Sequence, residues 1–465
     1  MDTPNSLRIV HLADFKPSSS SRAWVSIPNP NGLPLIATAT SDKTVRVYSL
    51  KNFTLHSTLE GGHSRSVRSV AWKPTVKNNG TLCIATGSFD ATMGIWRRSE
   101  DMSDVIGEQK QQGDGQVDDP VEVEISSYGQ PKPHKRDNGD SDEDGDEDNE
   151  DWEFAIVLEG HDSEVKNVAY SPSGQWLASC SRDKSIWIWE EIGDEGDDEF
   201  ETIAVLQDHT ADVKYVCWRP DDGNGEVLAS ASYDDTIRFW KGDDEGEWSS
   251  IAVLEGHEGT VWSLDWEPEV SQKRFPSEDT DPTSDSYRPQ TPRLISSSAD
   301  NTIRVWSIAP SPPPANKPSY FNSGIPSTMR SGPVNETWEC TAVLPKAHDL
   351  PIYSIGWSKE SGRVVSTGGD GRLVIYEERT KGRTAVGGEV EREWVILGIL
   401  EGAHGPYEVN HVAWCTRFDA GKKAVDEEML VTTGDDGDVK AWAIDELAGP
   451  EGSRVEESMN EVSIS

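Results

Sequence analysis

The stretch 158–190, LEGHDSEVKNVAYSPSGQWLASCSRDKSIWIWE, recurs in altered form along the chain, and a recurring unit restricts the possible folds more than any other property. Gly160-His161 opens it, Ser181-Arg182-Asp183 makes a tight turn, and Trp189 closes it. Apolar residues alternate with polar ones in three runs, Val168 to Tyr170, Trp176 to Cys180 and Ile186 to Trp189, separated by Pro-Ser-Gly and Arg-Asp-Lys turns. That pattern predicts consecutive antiparallel strands. One such unit cannot bury its own faces. A period of about 40 to 45 residues with Gly-His and Trp-Asp-type marks is that of a β-propeller blade, so the fold is read as all-β.

Seven units run along the chain. The first passes through Trp24 to Ile27, Leu35 to Thr40 and Val45 to Tyr48; the second opens at Gly62-His63 and ends at Trp96; the third is the stretch above. The others are marked by His209, Asp234 and Trp240, by His257, Asp300 and Trp306, by His348, Asp370 and Tyr376, and by His404, Asp436 and Trp442. A ring of blades must be closed. The strand-like run Ser6 to Leu12 precedes any complete unit, while the polar tail after Trp442 offers no outer strand. The N-terminal run is therefore expected to complete the seventh blade and remove its free edge. One propeller over 1–445 with a polar tail at 446–465 accounts for the chain.

Insertions divide the two faces of the ring. Those at 99–152, 308–337 and 379–393 lie between third and fourth strands, and those at 267–293 and 416–428 between first and second, so all fall on one face. The other face, built from the Gly-His loops and x-Asp turns, stays short in every unit. The first insertion contains DNGDSDEDGDEDNED and the second is rich in Pro and Ser, compositions that cannot bury enough surface to become ordered. The acidic run also lacks the spacing of a calcium loop. We therefore expect function on the short-loop face.

Charge and cysteine content exclude several classes. Lys and Arg number 43 against 83 Asp and Glu, a formal net charge of −40, which argues against direct nucleic-acid binding. Cys83, Cys180, Cys217, Cys340 and Cys415 are scattered with no C-x-x-C pair, so neither a disulfide framework nor a metal or cofactor site is expected. No apolar run is long enough to span a membrane and MDTPNSLRIV has no signal pattern, which points to a soluble intracellular protein. His161, Ser179 and Asp183 invite comparison with a nucleophilic triad, yet a triad occurs once per site. Here the histidine recurs at 63, 161, 209, 257, 348 and 404, and the turn aspartate at 42, 90, 183, 234, 300, 370 and 436. His161 with Asp183, His209 with Asp234 and His257 with Asp300 are accordingly read as a structural network, in which the carboxylate takes an imidazole N–H and the imidazole bonds a strand hydroxyl. No catalytic residue is expected. Unit one carries Lys16 to Ser21 in place of the Gly-His loop and is expected to be the loosest blade.

These marks identify the chain as a member of the WD40 repeat superfamily over at least 45–442. CSRDKSIWIWE at 180–190, SASYDDTIRFW at 230–240, LEGHEGTVWSLDW at 254–266 and HGPYEVNHVAW at 404–414 resemble the WD40 subunit of the cytosolic iron–sulfur protein assembly (CIA) targeting complex. The resemblance implies a seven-bladed, non-catalytic scaffold, cytoplasmic and also nuclear, that helps transfer clusters to apo-proteins and holds none stably. It implies a DUF59-type assembly protein and a HEAT-repeat adaptor as partners, and iron–sulfur apo-protein clients, some recognised through a C-terminal tail ending in an aromatic residue. It also gives the arginine matched by Arg182 in C-S-R-D-K-S a role in client or partner binding. The alternative is a WD40 substrate receptor or scaffold of another complex, such as a ubiquitin ligase or chromatin assembly, using the same face.

The residue before each turn aspartate should project from that face: Ser41, Phe89, Arg182, Tyr233, Ala299, Gly369 and Asp435. Arg182 is the one cation in the set. Residues one past the first apolar residue of each inner strand should crowd the same face: Arg68, Lys166, Lys214, Trp262, Tyr353 and Asn410. A very acidic chain would thus gather Arg68, Lys166, Arg182 and Lys214 beside Phe89, Tyr233 and Trp262. Cations beside aromatics suit a partner that ends in a carboxylate and an aromatic ring.

Overall fold

A computed structural model describes residues 6–74, 81–99, 152–193, 199–221, 223, 225–243, 246–268, 292–309, 335–383 and 390–447. Their strands form seven four-stranded antiparallel sheets. From the axis outward, blade one comprises Ala23–Pro28, Leu35–Thr40, Val45–Ser49 and Leu55–Leu59. Blade two is Val67–Trp72, Thr81–Ser88, Met93–Ser99 and Glu153–Leu158; blade three is Val165–Tyr170, Trp176–Ser181, Ile186–Glu191 and Phe200–Leu206. Blade four is Val213–Trp218, Val227–Ser232, Ile237–Gly242 and Trp248–Leu254; blade five is Val261–Trp266, Leu294–Ser298, Ile303–Ile308 and Trp338–Val343. Blade six is Ile352–Trp357, Val364–Gly368, Leu373–Arg383 and Val390–Leu400. Blade seven takes Val409–Thr416, Glu428–Gly434 and Val439–Glu446 from the end of the chain and Leu7–Asp14 from its beginning. Inner strands touch in sequence, and the seventh touches the first, so the ring is closed.

The core lies between blades. The second strands are buried almost throughout, and LIATAT at Leu35–Thr40 and VLASAS at Val227–Ser232 at every residue, because a neighbouring blade covers each face. Small side chains there let two sheets approach. Each apolar cluster draws on two adjacent blades, as where Val25, Ala37 and Val47 of blade one meet Val67, Val70 and Trp72 of blade two.

The closing strand is as expected in kind and longer in extent, pairing from Leu7↔Glu446 to Asp14↔Lys440. Leu7 and Ile9 are buried by it, and Phe15 just beyond is fully enclosed. The insertion expected at 379–393 is instead a hairpin extension. Strands three and four of blade six continue to Arg383↔Val390, where backbone pairing alone carries the ladder past the body of the blade. The 416–428 connection is tied by Arg417, which donates to Asp419 at 2.6 and 2.9 Å and to Glu427 at 2.7 Å. The insertions at 99–152, 267–293 and 308–337, with the composition argument made for them, fall outside the described residues apart from their ends.

Blade one is not loose in its contacts. Asp42 accepts from Thr44 Oγ1 at 2.7 Å and Arg46 Nη2 at 2.6 Å in place of an imidazole. Tyr48 Oη donates to the Pro17 carbonyl at 2.9 Å, and Lys16 bridges to Thr54, so Lys16 to Ser21 is anchored by other means.

A ring of bulged residues as candidate functional site

Six blades carry the same chain of polar contacts. The turn aspartate lies 2.8 to 3.4 Å from His Nδ1 in the pairs 63/90, 161/183, 209/234, 257/300, 348/370 and 404/436. With Nδ1–H donating to the carboxylate, Nε2 is left to accept the hydroxyl proton of Thr86, Ser179, Ser230, Ser296, Ser366 or Thr432 at 2.7 to 2.8 Å. The hydroxyl oxygen then accepts the indole N–H of Trp96, Trp189, Trp240, Trp306 or Trp442 at 2.8 to 3.1 Å. Tyr376 occupies the indole position in blade six. Burial by itself raises the Asp183 carboxyl, but hydrogen bonds from His161 and Ser185 outweigh it and hold the group well below the usual range. In five blades the closing tryptophan is thus the last member of a four-residue network, a role that its place in the repeat did not reveal.

This network fixes the turn, and the turn fixes what stands beside it. The residue after each turn aspartate is left-handed, with φ between 64° at Asn301 and 79° at Gly437. The backbone N–H before the aspartate donates to the carbonyl just before the inner strand in all seven blades, as from Phe89 to Ser66 and from Arg182 to Glu164. Every inner strand slips register at its second residue, between Val67 and Ser69 in blade two and equivalently in the others. A bulge leaves one residue unpaired and re-aims its side chain. The seven bulged residues are Trp24, Arg68, Lys166, Lys214, Trp262, Tyr353 and Asn410.

They form a ring of contacts on the short-loop face. The Arg68 guanidinium lies 4.9 Å from the Trp24 ring, and Trp24 packs 6.0 Å from Phe89. Lys166 Nζ stands 4.5 Å over Phe89, while Lys214 Nζ lies 5.2 Å from Tyr233 and 5.4 Å from Trp262. Trp262 meets Tyr353 edge to face at 5.3 Å. Gly369 has the room this needs, since a Cβ there would come 3.2 Å from Tyr353 Oη. Asn410 closes the ring by donating to Ala23 O at 3.0 Å and to Asp435 Oδ1 at 2.9 Å.

The expected concentration of positive charge needs correction. Glu164 accepts from Arg182 at 3.3 Å, pairs with Lys166 at 3.5 Å and stands 4.0 Å from Arg65. Asp212 pairs with Lys214 at 3.3 Å, and Asp435 with Arg22 at 2.6 Å. Arg182 lies on the rim with its side chain 58% exposed and already engaged. The triplets Glu164-Val165-Lys166 and Asp212-Val213-Lys214 signal this pairing, because alternation along a strand puts the acid and the lysine on one side. Trp24 and Arg22 complete the ring in blade one and were not among the expected residues. Among the described residues no group of three or more His, Cys, Asp or Glu is placed to hold a metal ion, and all five cysteines are free thiols.

The WD domain, G-beta repeat family matches residues 53–97, 152–190, 200–241, 248–307 and 338–377. Each match starts at or near the outer strand of one blade and runs into the next, so the sequence repeat is offset from the blade. A protein of Botryotinia fuckeliana is 70% identical over 442 residues, covering 95% of this chain and 98% of its own. One of Sclerotinia sclerotiorum is 68% identical over 449 residues, covering 94% and 96%. One of Pyricularia oryzae is 48% identical over 472 residues, covering 95% and 97%. All three bear the name "probable cytosolic iron-sulfur protein assembly protein 1".

Proposed function

The chain belongs to the cytosolic iron–sulfur protein assembly protein 1 family of WD40 repeat proteins, and on that premise we propose that it is a non-catalytic scaffold of cytosolic iron–sulfur protein assembly whose short-loop face binds partner proteins. The observation that carries this reading is the ring of bulged residues, where Arg68, Lys166 and Lys214 lie against aromatic rings across blades one to five and Trp262 packs on Tyr353 of blade six. Cation–ring surfaces favour a carboxylate next to an aromatic side chain, as at the end of a polypeptide. Arg182, Lys166, Lys214, Tyr233, Trp262, Phe89, Arg68 and Tyr353 are its contact residues. The partners are a DUF59-type assembly protein, a HEAT-repeat adaptor and iron–sulfur apo-proteins in the cytoplasm and nucleus. The cluster is cargo of the assembly.

Affinity purification of the full chain from cytosol, with identification of what co-elutes, tests the assignment. The expected companions are the DUF59-type and HEAT-repeat proteins with iron–sulfur enzymes. Recovery of ubiquitin-ligase subunits or histones instead would contradict it.

A further inference from the structure

Arg68 differs from the two lysines of the ring in having no carboxylate. Where blades three and four read Glu-Val-Lys and Asp-Val-Lys, blade two reads Ser66-Val67-Arg68. Ser66 Oγ accepts the Trp24 indole N–H at 2.8 Å, and among the described residues no Asp or Glu oxygen comes within 4.0 Å of the Arg68 guanidinium. The Trp24 ring lies against it. Burial lowers Arg68 to about 10, with Arg22 adding to the shift. The carboxylate-paired Arg293 and Arg417 move in the opposite direction. Arg68 remains cationic at neutral pH, half-buried at the mouth of the ring with no acidic partner beside it, so its charge is open to an anion that arrives from solution.

A second group facing the axis is also unsatisfied. His411, one residue past the bulge of blade seven, is 9% exposed and has no partner for Nδ1. Burial, and after it the charge of Arg68, lowers this imidazole to about 3. The two residues sit on the inner strands of blades separated by blade one, close enough for the Arg68 charge to disfavour a proton on His411.

The surroundings select the anion. Glu164, Asp212, Glu408 and Asp435 stand beside the bulged residues, and the chain carries a net charge of −40, so a polyanion is repelled where a single carboxylate is not. Trp24 and Phe89 supply adjoining ring surface for the side chain next to it. Arg68 sits at the bulge, behind the turn that carries Phe89. A chain end reaches it with one strand of backbone, whereas an internal acid must bring backbone in on both sides. We propose that Arg68, rather than Arg182, receives the terminal carboxylate of a bound partner tail, with Trp24 and Phe89 flanking its last side chain. This rests on the partner-binding reading above and names the receptor within it. Arg182, exposed and bound to Glu164, contributes to the rim.

The test uses the full chain and a fluorescein-labelled peptide ending in Asp-Trp, as the free acid and as the C-terminal amide, with affinity read by fluorescence anisotropy. For the parent, amidation should weaken binding by about 10- to 150-fold, the equivalent of a hydrogen bond to a charged group. Arg68→Gln should bind the acid as weakly as the parent binds the amide and leave the amide affinity unchanged, while Arg182→Ala should keep most of the preference for the acid. Thermal melting distinguishes a binding residue from a structural one: Arg68→Gln should melt close to the parent temperature, because Arg68 is half-buried and makes no ion pair among the described residues. A melting temperature lowered by more than about 4 °C would mark Arg68 as structural and overturn the proposal. Loss of the acid preference in Arg182→Ala but not in Arg68→Gln would also overturn it and leave the partner-binding reading intact. So would equal binding of acid and amide by the parent, or equal weakening of both by Arg68→Gln. A parent that binds neither peptide would remove the partner-tail reading and this assignment together.

Discussion

His257 illustrates how one side chain holds a blade together. Its ring is buried, with Nδ1 2.8 Å from Asp300 and Nε2 2.7 Å from the Ser296 hydroxyl, and the hydroxyl oxygen accepts from Trp306. His257→Ala takes one donor from Asp300, which keeps those of Thr302 and Glu258, leaves the Ser296 hydroxyl without its acceptor and opens a cavity where the ring was. It should lower stability by about 2 to 4 kcal/mol, read from urea denaturation against the parent. Backbone conformation makes a second point at the same turn. Gly437 has φ 79°, and a Cβ there would meet the carbonyl oxygens of Ser19 and Ser21 at 2.4 and 2.5 Å. Gly437→Ala should therefore destabilise by roughly 1 to 3 kcal/mol at the seam of blades seven and one. Ala91 occupies the same left-handed conformation, with φ 72°. Ala91→Gly should be neutral or stabilising by up to about 1 kcal/mol, which matched thermal melts will show. Much of this was legible in sequence. A histidine and an aspartate recurring in step with the period mark a structural network rather than a site. The closing tryptophan was legible only as a mark, because its bond to the shared hydroxyl depends on the third strand lying beside the second.

Strand ends and strand pairing decide what can be removed. Leu7–Asp14 covers the otherwise free edge of Val439–Glu446 and buries Leu7 and Ile9. Deletion of residues 1–12 should expose that edge and produce aggregation on expression; a monomer with an unchanged melt would show that the ring is closed by other contacts. By contrast, Met93–Ser99 and Glu153–Leu158 pair directly with each other, from Met93↔Leu158 to Arg97↔Glu153. Removing 102–150 while keeping Trp152, which packs against Trp72, should leave the melting temperature within about 4 °C of the parent. The latch was readable because a lone strand before the first unit and the lack of one after the last leave a single topology. The blade-six hairpin was not, since VEREWV and EERTKGR alternate weakly and read equally well as a connection. The bulged positions were located by counting from the first apolar residue. Their shared cause, a register slip in every inner strand, is a property of pairing that no single strand displays.

The ring as a whole titrates in two directions. The turn aspartates are depressed in the folded state, so the stability they contribute is present above the unfolded value near 3.8 and is lost as pH falls below it. Asp265 behaves oppositely. It is half-buried on the inner strand of blade five, accepts the Trp357 N–H of blade six at 2.6 Å and the Trp266 N–H at 2.9 Å, and is raised to about 6 by its loss of solvent despite those bonds and Lys359. A raised carboxyl binds its proton more tightly when folded, so its penalty grows as pH rises from 3.8 to 6 and is complete above that, at most about 3 kcal/mol. Between pH 7 and pH 5 the parent should gain stability that Asp265→Asn does not, as compared by denaturant unfolding at each pH. The other property of the whole ring is that its cations, in a strongly acidic chain, gather against aromatics on the face with short loops. Lys166 and Lys214 occupy neighbouring blades there. The most direct measurement is co-purification with the double variant Lys166→Glu, Lys214→Glu, after thermal melting has shown it to be folded. The parent should carry iron–sulfur enzymes through purification and the variant should lose them; a folded variant that retains them in parent amounts would place the partner site elsewhere on the propeller.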